Sequence, residues 1–139
     1  MSESNLDLVR RATAAFNRGD LEAWAEHYDP DVVFEDLNHG PDQEPVTRGL
    51  PALRRIVDEW RQAMPDFRLD LEELVAVGDA VIAQVTYRGT GEGSQLAVDF
   101  PMVDVSWWDE GKVTYYLSGL ESLEEGRRAV AEDRRLQTR

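Results

Sequence analysis

No cysteine occurs anywhere in the 139 residues. That removes disulfides, thiolate catalysis and cysteine zinc sites together, and it fits a reducing compartment. No run of about 18 apolar residues exists, and the first residues, Met1 to Asn5, are polar with no signal-peptide core. The chain is therefore expected to be soluble and cytoplasmic. Positive charge is scarce: 15 Lys and Arg stand against 28 Asp and Glu, for a net charge of −13. Such a surface repels phosphate, so neither nucleic acid nor an anionic membrane is expected as a partner. The two histidines, His27 and His39, lack metal-ligand spacing such as i, i+4, and no metal site is expected. His27 falls off the apolar stripe of its helix, whereas His39 lies in a loop where it could touch a ligand at a pocket entrance. The glycine-rich stretch Arg88-Gly89-Thr90-Gly91-Glu92-Gly93 follows a strand pattern and opens no helix, so it does not read as a phosphate cradle. No cofactor is expected, and no internal repeat or low-complexity segment is present.

What is present is a globular composition, 42% hydrophobic, in a chain long enough for one domain over residues 1–139 with a core at about 5–125. Leu6, Val9, Thr13 and Phe16 recur at helical spacing and stop at Asn17-Arg18-Gly19. Asp20 is placed to cap a second helix carrying Leu21, Trp24, Ala25 and Tyr28, which Asp29-Pro30-Asp31 breaks. Val32 to Asp36 reads as a strand, and 37–49 as a loop rich in Asn, Gly and Pro. Pro51 suits the first turn of a third helix whose stripe is Leu53, Ile56, Val57 and Trp60. The period then changes to two. Phe67, Leu69 and Leu71 alternate with polar residues, Gly78-Asp79 makes a tight turn, and Val81, Ala83, Val85 and Tyr87 share one strand face. A loop is expected from Gly89 to Ser94. Leu96 to Trp108 forms a long strand in which Pro101 marks a bulge or an edge, and Asp109-Glu110-Gly111 turns into Val113 to Leu120. Ser122-Leu123-Glu124-Glu125 matches a capping box, so residues 122–139 read as a charged helix that frays towards Arg139. The order implies an α+β fold: a cone-shaped, curved, mixed β-sheet wrapped over three helices from the N-terminal half, enclosing one apolar pocket.

Several of these stretches carry a family likeness. They are Phe16-Asn17-Arg18-Gly19-Asp20-Leu21 closing the first helix, Tyr28-Asp29-Pro30-Asp31-Val32-Val33 entering the first strand, Arg48-Gly49 before the third helix, and Asp109-Glu110-Gly111-Lys112-Val113 joining the last strands. In order and spacing the chain resembles the nuclear transport factor 2-like superfamily, which includes the SnoaL-like polyketide cyclases and ketosteroid isomerases. The resemblance implies the cone fold. Activity is left open by it, because the fold hosts isomerases, cyclases, epoxide hydrolases, dehydratases and non-enzymes. Carried over residue by residue, the isomerase pattern places a general base at Asp36 and a protonated aspartic acid at Asp104. The isomerase family's oxyanion tyrosine falls at Ala12, and Tyr116 is a candidate to supply a hydroxyl in its place. The cyclase acid/base position falls at Ser118. The charged set of the epoxide hydrolases falls at Gln84, Thr86 and Ser118, none of them charged.

In an apolar cavity, burial raises a carboxyl pKa and two nearby carboxyls drive their values apart. The ionised one can remove a proton α to a carbonyl, and the neutral one can donate to the enolate oxygen. Asp36 and Asp104 are the candidate catalytic pair. Phe16, Tyr28, Phe34, Trp60, Tyr87, Met102, Tyr116 and Ser118 are candidate ligand-binding residues for a small hydrophobic molecule. Two alternatives stay open. Asp36 can instead bond a nearby backbone amide in the Leu37–Asn38 turn. Asp104 can face solvent, because the set Val103, Val105 and Trp107 is the more apolar one and a one-residue shift exchanges the faces. A second apolar face suggests a homodimer through the outer side of the sheet. The expected function is a cofactor-independent isomerase or aldol-type cyclase. The alternatives are a non-catalytic binding protein, favoured by the uncharged Gln84, Thr86 and Ser118, and an oligomeric interaction module with a filled interior.

Overall fold

The computed structural model describes residues 4–90 and 97–138. The element order is α1 (Asn5–Asn17), α2 (Leu21–Ala25), β1 (Tyr28–Asp36), β2 (Val46–Arg48), α3 (Leu50–Ala63), β3 (Arg68–Val77), β4 (Ala80–Thr90), β5 (Ala97–Asp109), β6 (Lys112–Leu120), α4 (Leu123–Ala131) and a 3-10 helix (Arg134–Thr138). The six strands form one sheet in the order β2-β1-β6-β5-β4-β3. Among the described residues only the β1–β6 pair is parallel. Of the expected Gly89–Ser94 loop, Gly89 and Thr90 instead continue β4, paired with Val98 and Ala97 of β5, and the rest lies outside the described residues.

Two differences from the sequence reading concern the first strand. Tyr28 opens β1 and does not close α2, since its i, i+4 spacing from Trp24 suits a helix but its backbone pairs with Val113 of β6. The 37–49 segment also contains β2, a three-residue strand registered on β1 through Phe34 opposite Thr47. Pro101 fits where it is because β6 ends at Leu120, opposite Val103, so β5 runs past its neighbour before the proline is reached. The lost N–H there breaks no β5–β6 ladder bond.

Local chemistry explains the motifs. Asp20 caps α2 by accepting from the Ala23 N–H at 3.1 Å. Asn17 uses its side-chain amide as a strand would, donating to the Leu69 carbonyl and accepting from the Leu69 N–H, both at 2.8 Å. It thereby ties the end of α1 to the edge strand β3. Ser122 caps α4 at the Glu125 N–H, while the Glu125 carboxylate reaches back to the Glu121 N–H, one residue before the cap.

Helices α1 to α3 cover the inner face of the sheet. Their core joins Val9, Phe16, Leu21, Trp24, Leu53, Val57 and Phe67 to the inward strand residues Val32, Phe34, Val81, Trp108 and Val113. A run of ring contacts passes from Tyr28 to Trp24, Phe16, Phe67, Trp60, Phe34 and Tyr116, each pair 4.6 to 6.1 Å between centroids. Each such contact adds about 0.5–1.5 kcal/mol beyond the area it buries.

The outer face is covered as well. Ile82, Val103, Val105, Trp107, Tyr115 and Leu117 pack under Leu123, Ala129 and Val130 of α4. Gly126 allows that approach, because a Cβ there would lie 2.6 Å from Ile82 Cγ2. The apolar set that suggested a homodimer is thus buried by the chain's own C-terminal helix, with Val105 at 0% exposure and Trp107 at 1%.

The segment after α4 is held against the sheet. Arg134 makes a two-pronged ion pair with Glu35, Nη2 to Oε2 at 2.6 Å and Nε to Oε1 at 3.1 Å. The Tyr115 hydroxyl donates to the same carboxylate at 2.7 Å. Arg135 sits 5.5 Å over the Trp107 ring.

Candidate functional site

The alternation of β4 and β5 fixes what faces inward. Ala83 is registered on Asp104, Val85 on Met102 and Val81 on Ser106, so Val81, Ala83, Val85 and Tyr87 share the inner wall with Met102, Asp104, Ser106 and Trp108. Asp104 therefore points inward, and it is 1% exposed. Gln84 and Thr86 lie on the opposite face. Thr86 donates to Glu72 there at 3.1 Å, so the correspondence that put Gln84 and Thr86 in the pocket is corrected by one residue.

Two tyrosines from the strands on either side of β5 converge on one oxygen of Asp104. Tyr116 on β6 donates to Oδ2 at 2.6 Å, and Tyr87 on β4 donates to the same atom. The Gly119 N–H donates to Oδ1 at 3.2 Å. Gly119 has φ +105°, and a Cβ would stand 2.8 Å from Asn38 Nδ2, so glycine is what permits that backbone position. Ser118 Oγ lies 3.3 Å from the Tyr87 hydroxyl and donates weakly towards Met102 Sδ at 3.6 Å.

Burial pushes the Asp104 carboxyl above its ordinary value, against the opposing pull of the hydrogen bonds from Tyr116, Tyr87 and Gly119. Burial, then the Asp104 charge, pushes the Tyr87 and Tyr116 phenols well up, and burial raises Tyr28. The cluster is built from hydroxyls that stay protonated around an acid that resists ionising.

The interior space next to this cluster divides in two. A cavity of about 40 Å³ is lined by Asp104, Ser106 and Tyr116 together with Val9, Ala12 and Trp108. A second, of about 30 Å³, lies among Phe34, Val57, Trp60, Phe67, Tyr87 and Tyr116. Phe16, Trp24, Tyr28, Leu69 and Tyr116 border both.

Asp36 sits elsewhere. It shares the inner face of β1 with Phe34 and is registered on Ser118, so β6 separates it from Asp104. At about 4.8 Å per strand, the two backbones are roughly 10 Å apart. Its carboxylate accepts from the Asn38 N–H at 2.8 Å, the turn-capping arrangement, and it borders an open groove of about 740 Å³ between the β1–β2 hairpin and α3. The expected pair thus does not line one cavity. His39 bonds the Asp36 carbonyl through Nδ1 at 3.0 Å and does not border that groove. Among the described residues no group of three or more His, Asp and Glu is placed to hold a metal ion. No helix among them is long and apolar enough to cross a membrane.

This arrangement of helices on the inner face of a six-stranded mixed sheet defines a cone fold with an interior acid. The family model of the SnoaL-like domain matches residues 9–116, and the chain belongs to that family, within the nuclear transport factor 2-like superfamily. Solved structures agree on the fold. IdmH of Streptomyces antibioticus, a proposed polyketide cyclase, is 22% identical over 83% of this chain and 90% of its own, with a TM-score of 0.72. AclR of Streptomyces galilaeus, a proposed hydroxylase, is 22% identical over 80% and 84%, with a TM-score of 0.67. A nuclear transport factor 2-like protein of unknown function from Burkholderia pseudomallei is 20% identical over 91% and 97%, with a TM-score of 0.73. None of the curated proteins matches the chain.

Proposed function

We propose that the chain is a cofactor-independent proton-transfer enzyme, an isomerase or aldol-type cyclase, acting on a small hydrophobic carbonyl compound. The observation that carries this reading is Asp104: a carboxyl group at 1% exposure, set in an aromatic interior and held by two tyrosine hydroxyls. Burial favours the protonated form of this acid, and in that form, with Tyr116 beside it, it can donate to a carbonyl oxygen as negative charge develops there. Losing one such donor typically costs on the order of 100-fold or more in rate. Asp36, on the same sheet face and borne by a strand two places away, is the base in this reading. It takes the proton from the carbon next to the carbonyl and returns it to another carbon in an isomerisation. The SnoaL-like family and the proposed cyclase activity of IdmH support the class of reaction.

The test uses a panel of cyclic β,γ-unsaturated ketones in deuterated water, with deuterium incorporation and conjugation followed by NMR and ultraviolet absorbance. Catalysed exchange that drops about 100-fold in Asp104→Asn and in Asp36→Asn is expected. Exchange unchanged in Asp36→Asn removes the base assignment, and no exchange with any member removes the enzyme reading. A binding-only role is favoured by one specific observation: both oxygens of Asp104 already have partners inside the fold, as a purely structural carboxyl would. Ligands held tightly but returned undeuterated would select it.

A further inference from the structure

The interior as it stands accommodates water and little else. A cavity needs about 10–15 Å³ per water on this measure, so spaces of about 40 and 30 Å³ hold a few molecules at most. Small-molecule sites run to about 300–1,000 Å³, a range that only the groove beside Asp36, at about 740 Å³, reaches among the spaces described here. Groove and interior share two walls, since Phe34 and Trp60 border both the groove and the smaller cavity.

Trp60 differs from the other three tryptophans. Trp24, Trp107 and Trp108 are buried, at 5%, 1% and 4% exposure. Trp108 is also tied by a 2.8 Å bond from its Nε1 to Ser106, and Trp107 lies under Arg135. Trp60 is half-buried and packs at the edge of the inner core, its ring 6.1 Å from Phe34 and 5.8 Å from Phe67, and its indole N–H bonds none of the described residues. Its ring can turn without breaking a hydrogen bond. Phe34 stacks on Tyr116 at 5.7 Å, so the ring next to the shared wall is the one whose hydroxyl reaches Asp104.

We infer that the groove between the β1–β2 hairpin and α3 seats the body of the substrate, and that the Phe34–Trp60 wall parts to let its carbonyl end reach Tyr116 and Asp104. This rests on the proton-transfer reading and deepens it, because a ligand lying through that wall is the one object that meets Asp36 and Asp104 together. Phe34, Val46, Ile56 and Trp60 form the apolar part of the groove lining, and Asp36, Glu44, Arg55 and Glu59 a charged part. The ligand that fits both is a flat ring system with a carbonyl at its leading end, its apolar middle between the Phe34 and Trp60 rings and polar groups on its trailing part towards the charged lining.

The absence of cysteine makes the route directly measurable. Val57 is 1% exposed, lines the smaller cavity and lies one helical turn from Trp60. In Val57→Cys the single thiol is labelled with iodoacetamide over a series of low urea concentrations. Labelling that is nearly independent of urea, and slowed by saturating 2-naphthol as a flat probe ligand, is expected. Adding Trp60→Leu, which keeps an apolar side chain in place, raises the labelling rate by about tenfold or more while the urea midpoint accounts for less than that change. Labelling that rises with urea as steeply as global unfolding, or that is unmoved by Trp60→Leu, overturns the inference. Leu53→Cys, on the same cavity, serves if Val57→Cys does not fold. The labelling result is independent of turnover. A route that opens in a protein that exchanges no deuterium leaves this binding site standing and removes the enzyme.

Discussion

Replacing Arg134 by Met is expected to cost about 2–3 kcal/mol at pH 7, and the magnitude follows from the asymmetry of its ion pair. The Glu35 carboxylate is 6% exposed at its side chain and the Arg134 guanidinium 32%. Breaking a fully buried pair costs about 3–5 kcal/mol because a charge is stranded, whereas a surface pair is worth about 0–1 kcal/mol. Here the stranded charge is the buried one and the lost partner is partly solvated, which puts the cost between those limits. For a chain of this size about 4 °C is lost per kcal/mol, so the melting temperature should fall by roughly 10 °C. The pH dependence is the sharper part. Burial works to raise the Glu35 carboxyl, but the hydrogen bonds from Arg134 and Tyr115 and the Arg134 charge outweigh it and hold the group below its ordinary value. A lowered folded-state pKa contributes stability above the unfolded value, about 4.3, and that contribution is lost as pH falls through the folded value. In Arg134→Met the carboxyl keeps the burial and loses the cation, so its deficit is full at neutral pH and shrinks once it protonates. Urea unfolding of both proteins at pH 7 and near pH 4 checks this. A difference that is equal at the two pH values, or below about 0.5 kcal/mol at pH 7, refutes the reasoning. The double replacement Glu35→Gln with Arg134→Met should recover part of the loss, because no charge is then stranded.

Three further outcomes are expected. Asn17→Ala removes both hydrogen bonds that hold α1 to Leu69 and should lower unfolding stability by about 1–2 kcal/mol; a change within thermal-melt error would show that the edge is held by packing alone. Gly126→Ala should destabilise, since overpacking against Ile82 at about 1–3 kcal/mol exceeds the gain of about 1 kcal/mol in helix propensity. A stabilised Gly126→Ala would mean that α4 does not approach the sheet so closely. For Asp104, a folded-state pKa raised by burial means that the folded protein binds the extra proton between the unfolded and folded values, so wild-type stability declines as pH rises through that window and stays lower above it. Asp104→Asn lacks that slope. Its stability relative to wild type should therefore improve from pH 4 to pH 8 in urea melts, and a constant difference would show that Asp104 ionises as an ordinary carboxyl does.

Much of the fold is legible in the sequence because period and punctuation agree locally. The α3 stripe behind Pro51, the Gly78-Asp79 turn and the Val81–Tyr87 face are all where the spacing places them. The reading fails where a local pattern serves two structures. Tyr28 sits at i+4 from Trp24 and also opens a strand, and only the pairing with β6 decides. β2 is three residues inside a turn-rich stretch, too short for any period to emerge. Asp104 stays ambiguous in the sequence because β5 is buried on both faces: α1 to α3 cover one and α4 the other, so alternation loses its contrast. Asp36 bonds Asn38 as its turn position allowed, a short-range preference that acts whether or not a ligand is near. Glu35 and Arg134 carry no signal at all, being 99 residues apart with no shared pattern.

Among the described residues the sheet holds one buried carboxyl on each face, and the contrast between them bears on function. On the outer face Glu35 has a guanidinium partner that keeps it ionised, so its burial adds a tie between the C-terminal segment and the sheet. On the inner face Asp104 has hydrogen bonds from two phenols and a backbone amide, all neutral, and burial drives it towards the protonated form. A hydrophobic residue at Asp104 would remove that strain and would fit a wall otherwise made of Val81, Ala83 and Trp108. Selection for stability alone gives no reason to retain an acid there, and less reason to aim two tyrosines from flanking strands at one of its oxygens. Local conflicts of this kind cluster at working sites. The placement of Asp104 beside the ring wall that separates it from the groove is what supports reading it as the chemical end of a ligand site.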